Sequence, residues 1–119
     1  MVELVNAERA RYGLPALKVN PQLVQLARLK AKDMVENNYF SHTSPTYGSP
    51  FEMMRKSNVT YLYAGENLAG ASTVEAAHQA LMNSPGHRAN ILNPSFKEIG
   101  IAVVPGSVYG KIFVQLFKG

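Results

Sequence analysis

Two spacings of apolar residues divide the chain. Through the first three quarters they recur every three to four residues, and in the last quarter they alternate. The first helical stretch runs from about Val2 to Tyr12 and stops at Gly13, with Pro15 beyond it. The second has Asn20 as its N-cap and Pro21 at its first position, and it continues to about Asn38. Leu23, Leu26, Ala27, Ala31 and Met34 form its apolar face. Lys30, Lys32 and Asp33 fall off that stripe and are expected on a solvated face. Tyr39 to Ser49 reads as a loop. Ser49 and Glu52 then form a capping box for a third helix that ends near Ser57, with Phe51 and Met54 facing inward. An extended piece is expected at about Thr60 to Ala64.

A second capping box, Ser72 with Glu75, predicts a fourth helix to about Asn83, with Val74, Ala77, His78 and Leu81 on one face. Ser84-Pro85-Gly86 interrupts it. A short turn of helix follows from His87 to Leu92, stopped by Asn93-Pro94. Ile99, Ile101 and Val103 alternate with Gly100, Ala102 and Val104, and Ile112, Val114 and Leu116 with Phe113, Gln115 and Phe117. Pro105-Gly106 reads as the turn of a β-hairpin that is apolar on both sides. Helices followed by antiparallel strands predict an α+β fold with the sheet between helices.

Composition narrows the class. The 119 residues suit a single domain over residues 1–119. With 46% hydrophobic and 17% charged residues, disorder is excluded. No apolar run approaches the ~18 residues of a membrane span, so an integral membrane protein is not expected. The net charge of +4 comes from scattered Lys and Arg. Without a basic stripe interleaved with aromatics, no nucleic-acid partner is expected. The absence of cysteine removes disulfides, thiolate metal sites and a cysteine nucleophile. The chain opens inside a helix and not on a basic-then-apolar leader, which reads as a domain excised from a longer exported precursor.

Candidate chemistry rests on few residues. His42 and His87 sit in segments rich in Ser, Pro and Gly, and Glu66 lies between them, 24 residues after His42 and 21 before His87. Two imidazoles and a carboxylate can hold a divalent ion or act as base and acid. Alternatively they form a hydrogen-bonded cluster that shapes a cleft. Ser41, Ser44 and Ser84 are possible nucleophiles, though none lies in a Gly-x-Ser-x-Gly elbow. His78 is expected as a satisfied, partly buried helix residue. Asn67 is expected to support its loop by side-chain-to-backbone bonds. Arg88 and Asn90 are expected to anchor the His87 segment through carbonyls and Glu98. The five methionines are expected in the core. Tyr39, Tyr47, Tyr61 and Tyr63 either border the cleft or pack half-buried.

Five segments together carry a resemblance: Asn6-Ala7-Glu8-Arg9; Phe40-Ser41-His42; Gly65-Glu66-Asn67-Leu68-Ala69; Asn83-Ser84-Pro85-Gly86-His87-Arg88-Ala89-Asn90-Ile91-Leu92; and Glu98-Ile99-Gly100. In this order they resemble the CAP superfamily of cysteine-rich secretory, antigen five and pathogenesis-related class 1 proteins. The nearest likeness is to its bacterial, cysteine-free branch. The resemblance implies an α-β-α sandwich and an open cleft lined by two histidines and two glutamates. His42, Glu66 and His87 match three of the four. Leu81 stands where eukaryotic relatives carry a tryptophan, and Ser84 where they carry the second glutamate. The resemblance implies zinc or another divalent cation at His42, His87 and Glu66, and no organic cofactor. It also implies a secreted or envelope location, possible spore association included. No single reaction defines the family. The expected function is a binding module whose cleft, lined by His42, Glu66, His87, Ser84 and Asn67, takes a peptide, glycan or protein ligand. The alternative is a metal-assisted, protease-like hydrolase with Glu66, His42 and His87 as its catalytic residues.

Overall fold

In the computed structural model, which describes all residues 1–119, the C-terminal strand sets the architecture. Six consecutive residues, Ile112–Phe117, are buried. A strand buried on both faces needs cover on both faces. Ile112, Val114 and Leu116 pack against helices α2 (Pro21–Glu36) and α3 (Pro50–Lys56). Phe113 and Phe117 pack on the other side with residues of α1 (Val2–Arg11), α4 (Val74–Met82) and α5 (Pro85–Ile91). The result is an α-β-α sandwich. Its sheet has the order β1 (Lys18–Val19), β3 (Glu98–Ser107), β4 (Gly110–Lys118), β2 (Ala64–Ala71). β1 runs parallel to β3, and the other pairings are antiparallel. β2 is therefore an edge strand.

The caps explain where the elements start. Asn20 Oδ1 accepts from the amides of Gln22 and Leu23 at 2.8 and 3.2 Å. Ser49 and Glu52 close their capping box as expected. At Gly100 a Cβ would come within 2.3 Å of the Leu23 backbone, so β3 and α2 meet closer than any side chain permits. Of the methionines, Met34, Met53, Met54 and Met82 lie in the core.

Several boundaries differ from the sequence expectation. The hairpin turn is at Val108-Tyr109, because Pro105-Gly106 forms a bulge inside β3 between Val104 and Ser107. Gly106 takes φ +100°, and proline is tolerated where the ladder is already interrupted. Ser107 Oγ closes the turn by accepting from the Tyr109 amide at 3.0 Å. The cap of α4 is Thr73 and not Ser72, since Thr73 Oγ1 takes the Ala76 amide at 3.1 Å. The extended segment begins at Ala64 rather than ending there, which puts Gly65–Ala69 on a strand. α5 starts at Pro85, directly after its N-cap Ser84. Phe51 is exposed, and its neighbour Met53 turns inward beside Met54.

The largest correction concerns α2. Lys30 is fully buried and Asp33 nearly so. The loop after α2 folds back over this flank and covers both. Helical periodicity marks only the face that meets the sheet.

Candidate functional site

The cleft is built around β2. Alternation along the strand sends Glu66 to the α2 face and Asn67 to the α5 face. His42 comes from the loop on the first side and His87 from the first turn of α5 on the second.

Glu66 is the buried centre, with its side chain 1% exposed. Its Oε1 lies 2.8 Å from His42 Nδ1, and its Oε2 has no hydrogen-bond partner. Burial pushes the Glu66 carboxyl above its ordinary range, opposed by the His42 bond and the Lys30 charge. With Glu66 ionised, His42 Nδ1 donates to the carboxylate, and its Nε2 makes no protein hydrogen bond.

Two buried charges of α2 hold the His42 loop. Lys30 Nζ donates to the His42 carbonyl at 2.8 Å and sits 5.2 Å above the Tyr39 ring. Burial lowers the Lys30 pKa, while Glu66 and Asp33 raise it. Asp33 accepts from Tyr39 OH, from Ser44 Oγ, from Thr46 Oγ1 at 2.9 Å and from Asn37 Nδ2 at 2.6 Å. Burial alone would raise the Asp33 pKa, but the bonds from Ser44, Tyr39, Thr46 and Asn37 outweigh it and keep the carboxyl below its ordinary value.

His87 is held by neutral groups. Its Nδ1 pairs with Ser84 Oγ at 2.8 Å, and its carbonyl accepts Asn67 Nδ2 at 3.0 Å. Asn67 is fully buried and also bonds Gln115 Oε1 at 3.1 Å and Asn90 Nδ2 at 2.8 Å. Burial, then the nearby charge of His42, lowers the His87 pKa.

Of the expected trio, His42 bonds Glu66 directly, and His87 is tied to β2 through its carbonyl and the neighbouring Asn67. Ser84 joins it as the partner of His87. Asn67 bonds backbone as expected, but across the cleft rather than within its own segment. Ser41 and Ser44 serve their own loop. Arg88 lies against Tyr12 instead of binding carbonyls, and Glu98 pairs with Lys118 and Asn20 instead of Arg88 or Asn90. Asn90 Nδ2 does reach a carbonyl, that of Glu66 at 3.4 Å, and the buried Arg9 spans those of Pro15, Ile91, Asn93 and Phe96. His78 is buried beside Glu8 at 3.9 Å, and its Nδ1 is unpartnered rather than satisfied. Tyr39, Tyr47 and Tyr61 pack against the α2-side core.

Lys30, Asp33, Arg9 and Gln115 escaped sequence reasoning. One signal was available: Asp33 is the only aspartate in the chain, in the last turns of a helix that leads into a loop rich in hydroxyls. The donor set does not fit a three-ligand metal centre. Glu66 gives an oxygen to His42, and no three His, Asp or Glu side chains are arranged to hold an ion. No acid stands behind the Ser84–His87 pair, so a serine triad is not formed.

The model of the CAP, cysteine-rich secretory protein family matches residues 2–117, and the chain belongs to that family. It is 50% identical over 120 residues to the uncharacterized protein YkwD of Bacillus subtilis (strain 168), covering 100% of this chain and 46% of YkwD. It is similar to an extracellular protein containing an SCP domain from Bacillus anthracis, at 40% identity and TM-score 0.88, over 98% of this chain and 38% of that one. An outer surface protein of Borrelia burgdorferi shares the fold at 24% identity and TM-score 0.90, over 98% of this chain and 87% of that one. The chain thus spans less than half the length of the two Bacillus relatives. No helix is long and apolar enough to cross a membrane.

Proposed function

From membership in the CAP family, we propose that this domain is a binding module of a secreted or envelope protein. Its cleft beside His42 and His87 takes a peptide, glycan or protein ligand, with the two histidines as the candidate holders of a divalent cation. One observation carries this reading. Both imidazoles have their Nδ1 engaged, by Glu66 and by Ser84, and their Nε2 atoms make no protein hydrogen bond. Two oriented rings beside a recessed carboxylate form a rigid polar recognition pair. The extracellular description of the Bacillus anthracis relative supports the location.

One observation favours a second reading. A buried carboxylate on an imidazole Nδ1 is also how a hydrolase orients a general base. Glu66→Gln separates the two. A hydrolase loses turnover with this variant while staying folded, and a module has no turnover to lose. The direct test of the module is equilibrium binding of random peptides and soluble cell-wall glycan fragments to wild type, His42→Ala and His87→Ala. Saturable binding that both substitutions weaken supports it, and binding that neither affects contradicts it. Calorimetric titration with zinc near pH 7.5 tests whether the same histidines hold a cation. A micromolar site lost in both variants supports a metal site, and no binding, or binding that neither substitution affects, removes it.

A further inference from the structure

A groove of about 250 Å³ lies between the turn that follows α2 and the β3–β4 turn. Asn38 and Phe40 stand on one side, Val108 and Tyr109 on the other, and the buried Met34 and Ile112 form its floor. Phe40 and Tyr109 are a tilted pair at 5.4 Å, yet they remain 42% and 57% exposed, so ring surface stays open to a ligand. Both rings are carried on fixed backbone. The Tyr109 amide donates to Ser107 Oγ at 3.0 Å, and a Cβ on Gly70 would lie 2.5 Å from the Tyr109 Cβ. Phe40 follows Tyr39, whose hydroxyl donates to Asp33.

The rest of the lining is polar without being charged. At the rim, the backbone N–H and C=O groups of Asn38, Phe40 and Val108 make no backbone hydrogen bond. No Lys, Arg, Asp or Glu side chain lines the groove. An ionic ligand would find no counter-charge there. A lipid chain would cover the rim groups and leave them unpaired. Open ring faces beside uncharged donors and acceptors match a ligand that is apolar on one face and hydroxylated around its edge. A pyranose ring is such a ligand. Its C–H bonds can lie on an aromatic face while its hydroxyls both donate and accept.

We propose that this groove is a subsite for an uncharged pyranose unit of a glycan, which stacks on Phe40 and Tyr109 and hydrogen-bonds Asn38 and the rim backbone. The proposal rests on the binding-module reading above and narrows its ligand to a neutral glycan. Phe40 is two residues from His42, at most about 7 Å of chain, so the next sugar units reach the imidazole end of the cleft.

The test is NMR titration of the isotope-labelled chain with linear oligosaccharides of glucose, N-acetylglucosamine, mannose and galactose. At least one is expected to give saturable shifts at Asn38, Phe40, Val108 and Tyr109. Nuclear Overhauser contacts are expected from both rings to sugar C–H protons. Phe40→Leu and Tyr109→Leu keep apolar bulk but remove the ring face, and each is expected to weaken binding about tenfold. Both positions are exposed, and thermal melts check that the variants stay folded. Added salt is expected to leave the affinity unchanged. Binding of none of the four oligosaccharides overturns the proposal, as does tighter binding of heparin in the groove. Glycan binding that His42→Ala and His87→Ala weaken, but neither leucine variant does, sinks the subsite and leaves the cleft reading standing. Glycan binding that both leucine variants weaken, but neither alanine variant does, supports the subsite and removes the imidazoles from recognition.

Discussion

The two histidines of the cleft flank one strand, yet different physics holds each. On the α2 side, two buried charges do the anchoring. Lys30 fixes the His42 carbonyl, and Asp33 gathers three loop residues, Tyr39, Ser44 and Thr46, together with Asn37. On the α5 side, the neutral amides of Asn67, Asn90 and Gln115 and the hydroxyl of Ser84 hold His87. Buried charges need their partners, because an unpaired ion in the interior is costly. Neutral amides lose less when a partner goes. The His42 half should therefore be the more fragile and the more easily switched. The His87 half should be the tolerant one.

The largest effect is expected from Asp33→Ala. It strips the loop of its central acceptor and should cost about 3 kcal/mol in urea denaturation, with broadened His42 signals and little change at His87. Equal broadening at both rings would break the comparison. Asn67→Ala should cost about 2 kcal/mol and disturb His87 rather than His42. If the halves are independent, the double variant is additive to within about 0.5 kcal/mol. Lys30→Met keeps the packing volume and should cost about 1 kcal/mol. It also removes the cation that lowers the Glu66 pKa, so that pKa should rise further, as read from carboxyl carbon shifts.

Acid titration sharpens the picture with the smallest effect. Burial lowers the pKa values of His87 and His78 below their ordinary 6.5, so the unfolded chain takes up their protons first. Stability should fall as pH drops below about 6.5 and level off once the lowered values are passed. His78→Leu should flatten that slope in thermal melts. Asp33 acts in a lower window: its contribution is complete above its ordinary 3.8 and is lost as pH falls through its lowered folded value. Glu66 has the opposite sign, because its raised pKa favours the folded state towards low pH.

The sandwich was legible because its signals are local or periodic. Asn20-Pro21 and Ser49-Pro50 mark helix starts, and the run Ile112–Phe117, apolar except for Gln115, announces a doubly covered strand. That His42 meets Glu66, with His87 anchored on the neighbouring Asn67, was legible only through resemblance. Their spacing alone is silent, since the contacts close over 20 residues or more. The supports were illegible for a physical reason. Lys30 and Asp33 are polar residues buried by a loop and not by the sheet, and their partners, His42 for Lys30 and Ser44 and Thr46 for Asp33, are twelve, eleven and thirteen residues away. The turn was misplaced because Pro105-Gly106 serves equally well in a bulge, and only pairing with β4 decides between the two.

The central claim is that Glu66 fixes the His42 ring with a bare Nε2 facing the cleft. Long-range nitrogen-15 correlation spectra of the imidazoles at pH 7.5 read the tautomer directly. The account predicts His42 as the Nδ1–H form in wild type, and a mixture of tautomers in Glu66→Leu. A wild-type His42 protonated on Nε2, or a tautomer unchanged in Glu66→Leu, would contradict it.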